Sequence, residues 1–186
     1  GELSTPFYFS EHTDHPRAKT WQVDRKTFDT MMMERAREAG AEVREGIKVL
    51  DFIEQDGVVV GVRAEDEAGK GFELRAPVTM DASGRDALFQ RKKKWRKRDP
   101  KLNKIAIWTL YKGAKRDPGV DEGATTVAYV KGKGWFWNIP LKDDIVSTGI
   151  VADREYLYRD GRDLAEIYER EIKENKWVEE HLSEGQ

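Results

Sequence analysis

The chain has no cysteine, which excludes a disulfide framework and thiolate chemistry. No apolar run approaches the roughly 18 residues that a membrane-spanning helix needs, and no signal peptide is legible, so a cytoplasmic protein is the expectation. Histidine is scarce, with three in 186 residues. Two of these lie in the run Glu11, His12, Asp14, His15, which in principle has the donor types for Zn or another divalent ion. No third His or Cys stands close in sequence, so a polar turn and no metal site is the expectation. Nothing resembles a nucleophile elbow, which sets aside Ser-His-Asp hydrolysis.

What is present is charge and aromatic surface. Charged residues make up 37% of the chain and the mean hydropathy is −0.77, polar for a complete globular enzyme. Six Trp, seven Phe and six Tyr are nevertheless too many for a disordered chain, and the length suffices for one or two domains with a core. The net charge of −2 is unevenly spread, because Arg91 to Arg98 carries seven positive charges around Trp95. Such a run with an aromatic is a candidate nucleic-acid patch. The acidic remainder would repel phosphate, so no nucleic-acid partner is expected; a solvated surface segment, or one that meets an acidic partner, is the preferred reading.

Punctuation and periodicity divide the chain into elements. Phe7 to Phe9 and Thr20 to Val23 read as short strands. From Arg25 to Ala39, Phe28, Met31, Met32 and Ala36 follow helical spacing, with Asp24 as N-cap, Gly40 as stop and the Met stripe as core packing. Strands are then expected at 41–44, 47–53 and 58–64, the last two joined by an Asp56-Gly57 hairpin turn, and at 72–76 after Gly69-Lys70-Gly71. Val78 to Met80 reads as a buried strand running into Asp81-Ala82-Ser83-Gly84-Arg85, a loop type that can present backbone N–H groups to an anion. Further strands over 104–110, 125–130, 134–140 and 145–151 form an antiparallel sheet whose open face lines a pocket. A helix over 163–175 packs Leu164, Ile167, Tyr168 and Ile172 on that sheet, its Glu and Lys solvated opposite, and Trp177, Val178 and Leu182 extend it.

One of these strands is chemically pointed. In Gly134-Trp135-Phe136-Trp137-Asn138-Ile139-Pro140, strand alternation puts Trp135 and Trp137 side by side on one face and Phe136 on the other. By spacing alone, a core strand is the leading account, since aromatic residues favour pleated, buried surfaces.

The string also resembles the Trp-x-Trp-x-Ile-Pro signature of flavin-dependent halogenases, and Val146-Ser147-Thr148-Gly149 resembles that family's sequence just after the signature. The resemblance implies that Trp135 and Trp137 stand near the flavin and keep the organic substrate from the oxygen-activated cofactor, leaving halide as the species oxidised. It widens upstream. Val23-x-Arg25-x-x-Phe28-Asp29, Ala39-Gly40-Ala41 and the Asp81 to Arg85 loop are similar to the flavin-binding half of the superfamily containing aromatic hydroxylases, geranylgeranyl reductases and halogenases. It implies FAD contacts at Arg25, Asp81 and Gly84. Arginine offers a permanent charge and a planar fork for phosphate, and glycine lets the main chain approach closely.

Departures accompany the matches. The Gly-x-Gly-x-x-Gly loop that cradles the FAD pyrophosphate in that family does not occur in these 186 residues. The family's later Gly-Asp segment is missing too. Its catalytic lysine belongs upstream of anything matched here, and Lys19 has no matching context. The expectation is therefore an internal fragment, inactive alone, with an α+β fold. A β-meander with one helix at 1–90 would be a partial FAD-binding domain, and an antiparallel sheet with a C-terminal helix at 91–186 a substrate-binding domain. The implied parent uses reduced FAD, supplied by a flavin reductase or NAD(P)H, with oxygen and chloride or bromide, to halogenate a small electron-rich organic substrate. The alternatives are a hydroxylase or geranylgeranyl-reductase-like enzyme, or a noncatalytic binding module.

Overall fold

Two antiparallel sheets organise the chain, in a computed structural model that describes residues 5, 7–18 and 21–186. The fold class is α+β, as expected. Residues 31–101 form one compact unit, and residues 1–30 with 102–186 form another. Lys19 and Thr20 lie outside the described residues. A single turn, α1 (Phe9–His12), comes first, and then α2 (Arg25–Glu38), within which the division between the units falls.

The caps of α2 follow from its sequence. Asp24 Oδ1 accepts from the Thr27 backbone N–H at 2.8 Å and from its hydroxyl at 2.6 Å. At the other end Gly40 has φ +93°, Gly40 N–H donates to Arg37 O and Ala41 N–H to Ala36 O, the paired bonds of a Schellman stop. The methionine stripe differs from expectation: no residue of α2 is buried, and Phe28, Met31 and Met32 are exposed. Helical spacing there specifies the helix without a packed face.

In the 31–101 unit, β1 (Lys48–Gln55), β2 (Val58–Glu65) and β3 (Gly71–Arg75) make a meander in chain order. The first hairpin closes through Asp56 and Gly57, both at positive φ (51° and 79°), the conformation that this dipeptide favours. Phe52, Ile53 and Ala64 form its small buried set, and Phe89 of α3 (Leu88–Lys92) packs edge-on against Phe52 at 4.9 Å. The start of the basic run is drawn onto this sheet. Lys92 pairs with Asp51 and Lys93 with Glu54, so the acidic partner for these two lysines is β1 of the same chain.

In the other unit, β4 (Lys104–Lys112), β5 (Thr126–Val130), β6 (Gly134–Pro140) and β7 (Ile145–Asp153) form a sheet of order β4-β7-β6-β5. One face carries the core: Phe136, Val146, Ile150 and Ala152 pack with Leu157 of α4 (Arg154–Leu157), Ile167 and Tyr168 of α5 (Leu164–Glu174), and Val178 and Leu182 of α6 (Lys176–Leu182). Asp163 caps α5 by accepting from Ala165 and Glu166 N–H at 2.9 and 3.0 Å. The buried stripe departs from expectation at two positions. Leu164 is exposed and Glu171, expected to be solvated, is 1% exposed. Arg159 and Arg170 pair with it at 2.6 and 2.9 Å, and the Tyr156 hydroxyl donates to it at 2.8 Å. Burial, then Glu171, pushes the Tyr156 phenol up to about 12.

Four expected strands do not form. Phe9 opens α1, and 21–23, 41–44 and 78–80 have no regular structure. A strand must find a neighbour for its N–H and C=O groups. Ala41 N–H is spent on the α2 cap, the Gln22 side chain donates instead to Gly123 O and Thr125 Oγ1, and Val78 and Met80 are exposed.

Candidate functional site

The helix-packed face of the β4–β7 sheet consumes one set of alternating residues, and the other set is left open. Across one row of the register stand Trp108, Gly149, Trp137 and Val127; across a second, Ala106, Val151, Trp135 and Tyr129; across a third, Leu110, Ser147 and Ile139. Phe136, between the two tryptophans in sequence, is 0% exposed in the core. Trp135 is 38% exposed and Trp108 60% exposed on the opposite side, with Trp137 half-buried between them. Trp135 and Trp137 therefore stand on the open face, and the core-strand account holds for the alternate set of Gly134, Phe136, Asn138 and Pro140. Trp137 Nε1–H donates to Ser147 Oγ at 3.3 Å.

Such a surface can stack a flat, electron-rich ring and exclude water on one side. At its edge a shallow depression is bounded by Lys104, Val127, Tyr129 and Trp135. Lys104 is tied to Asp153 at 3.0 Å, so its charge is already balanced. Trp108, Leu110 and Tyr129 belong to this face, and sequence reasoning did not single them out. In β4 both alternating sets, Ile105/Ile107 and Ala106/Trp108/Leu110, are apolar, so periodicity gave no signal to choose the open side.

The residues expected at the flavin sit in different surroundings. Arg25 is in the first turn of α2, 77% exposed at its side chain, with Nε and Nη2 held by Asp29 at 3.1 and 2.9 Å. That bond raises its pKa above the ordinary arginine value. Asp81 is occupied locally: its two carboxylate oxygens accept from Ser83 and Phe89 N–H at 3.0 and 2.9 Å. Hydrogen bonds from Ser83 and then Phe89 hold its carboxyl below the usual range. Asp81 thus shapes the loop. Gly84 follows at φ +58°, with nothing within 4 Å of where a side chain would project. The exposed Arg25 guanidinium and, separately, the open space beside the left-handed Gly84 are each of a kind that can meet an anionic group. Arg25 and the Asp81 loop belong to separate units.

The histidine-rich turn has other occupations. His12 stacks on Phe7 at 4.3 Å between ring centres, and His15 Nδ1 accepts from Arg17 N–H at 3.1 Å. Among the described residues no helix is long and apolar enough to cross a membrane.

Comparison with known proteins gives a consistent answer. The profile of a family described as tryptophan halogenase matches residues 9–179. A 1H-pyrrole-2-carbonyl-[peptidyl-carrier protein] brominase of Pseudoalteromonas luteoviolacea is 37% identical over 147 residues, covering 77% of this chain and 35% of the relative. The flavin-dependent halogenase armH4 of Armillaria mellea is 39% identical over 147 residues, covering 74% and 27%. Among solved structures, the flavin-dependent brominase Bmp2 superposes with a TM-score of 0.81 at 28% identity, covering 90% of this chain and 42% of that one. The chain spans about a third of the length of the curated relatives it matches.

Proposed function

The chain belongs to the tryptophan halogenase family, and on that premise we propose that the protein is an FAD-dependent halogenase acting on an electron-rich organic substrate. FAD, when bound and reduced, supplies the electrons: with oxygen, a halide ion, a proton and a substrate C–H bond, the reaction balances as oxidised flavin, a carbon–halogen bond and two waters. A flavin reductase or NAD(P)H is the proposed source of the reduced cofactor.

In this reading the chain's own residues take the following roles. Arg25 offers charge to the cofactor's phosphate, and the loop held by Asp81 lets the main chain at Gly84 approach it. Trp135 and Trp137 face away from the core and form the barrier that keeps the substrate from the cofactor, so that halide is oxidised and the substrate is halogenated in a separate place.

The observation that carries this reading is the contrast within one strand: Phe136 fills the core while both flanking tryptophans stand on the open face. The test is Trp137→Phe in the full-length, flavin-loaded protein. Expected is a folded, flavin-loaded variant with less halogenated product per flavin oxidised, the difference lost as hydrogen peroxide. A destabilised variant with unchanged coupling would return Trp137 to a packing role.

A further inference from the structure

Gly149 has no backbone reason to be glycine. Its φ lies outside the left-handed region, and it sits in mid-strand, paired with Trp108 of β4 on one side and Trp137 of β6 on the other. Glycine weakens a strand interior and there marks a close approach. A side-chain carbon at 149 would stand 2.5 Å from Trp108 Cβ and 2.5 Å from both Cζ2 and Cη2 of Trp137. The six-membered ring of the Trp137 indole therefore lies directly over the Gly149 main chain. The same edge of the ring is fixed again at its other end, where Nε1–H donates to Ser147 Oγ at 3.3 Å. Ser147 is the neighbouring residue on the same face of β7.

Two contacts along one indole edge, one steric and one polar, restrict both side-chain torsions of Trp137. On a sheet face where Trp108, Trp135 and Tyr129 are exposed, they take the place of a packed core in holding the ring. We propose that Gly149 and Ser147 are positioning residues that lay the Trp137 indole flat across β7 and so set the height and angle of the aromatic wall. The geometry stands by itself; its consequence for halogenation rests on the proposed function.

Fluorine NMR on full-length protein labelled with 5-fluorotryptophan separates the two. The lines of Trp137 and Trp108 are those lost in Trp137→Phe and Trp108→Phe. In Ser147→Ala the Trp137 line should move or broaden while the Trp108 line stays, and Ser147→Thr, which keeps the hydroxyl, should restore it. In Gly149→Ala both lines should move, because Trp108 Cβ is equally close. A Trp137 line unmoved in Ser147→Ala and Gly149→Ala overturns the proposal, and if Gly149→Ala does not fold the Ser147 pair decides. Halogenated product per flavin oxidised, measured on the same samples, should fall in Ser147→Ala and recover in Ser147→Thr. A moved line with unchanged coupling supports the positioning role and sinks the barrier role of Trp137.

Discussion

Neighbouring residues of β6 make opposite commitments, and truncation should tell them apart. Phe136→Ala removes a fully buried ring and should cost about 3–5 kcal/mol in a denaturant titration. Trp135→Ala removes a ring that is 38% exposed on the open face, and should cost less. Equal losses would place both side chains in one core. Glu171 gives a second contrast. Removing it leaves two guanidinium groups without their buried partner, which costs about 3–5 kcal/mol in fully buried pairs. Arg159 and Arg170 retain 27% and 24% exposure. Both also keep Asp160, and Arg159 keeps Glu174, so Glu171→Ala should fall below that range, at about 1–3 kcal/mol. Arg25 lies at the other extreme. Its exposed pair with Asp29 leaves little for the fold to lose, so Arg25→Ala should keep its thermal midpoint while FAD retention falls in the full-length protein. Full flavin content in that variant would make Arg25 a helix-surface residue only.

Elements with local closure were legible: the Asp56-Gly57 hairpin, both caps of α2, and β6 with its expected bounds of Gly134 and Pro140. Each is specified by residues within a few positions. The strands expected at 7–9, 20–23, 41–44 and 78–80 needed distant partners, which a short apolar run cannot specify. The tie between α3 and β1 is another such long-range feature, and it yields a pH prediction. Lys92 first, then the Phe52 N–H, pulls the Asp51 carboxyl down to about 2. A carboxyl depressed in the folded state contributes stability above its unfolded value of roughly 4 and loses it as pH falls through the folded one. Denaturant midpoints should therefore decline between about pH 4 and pH 2, and less steeply in Asp51→Asn. The same slope in both proteins would show that Lys92 does not hold Asp51 in solution.

At the scale of the whole chain, the expected grip on FAD is partial. Arg25 and the Asp81 loop offer one charge and one turn, and no Gly-x-Gly-x-x-Gly loop occurs in these 186 residues to hold the pyrophosphate. Titrated with FAD, the isolated chain should show no stoichiometric binding at micromolar concentration and no turnover. Tight binding would mean that these residues suffice. Sequence by itself determined the α+β alternation, the hairpins and caps, and the pattern that sets Trp135 and Trp137 opposite Phe136, because periodicity and turn chemistry act over a few residues. Only tertiary structure decided which side of that sheet is the core. Both alternating sets of β4 are apolar, and the choice is made by where α4, α5 and α6 pack. It likewise decided that Glu171 lies inside and Leu164 outside, because Arg159 and Tyr156, brought against α5 from the preceding segment, join the adjacent Arg170 in offsetting the desolvation of a carboxylate that composition alone assigns to water.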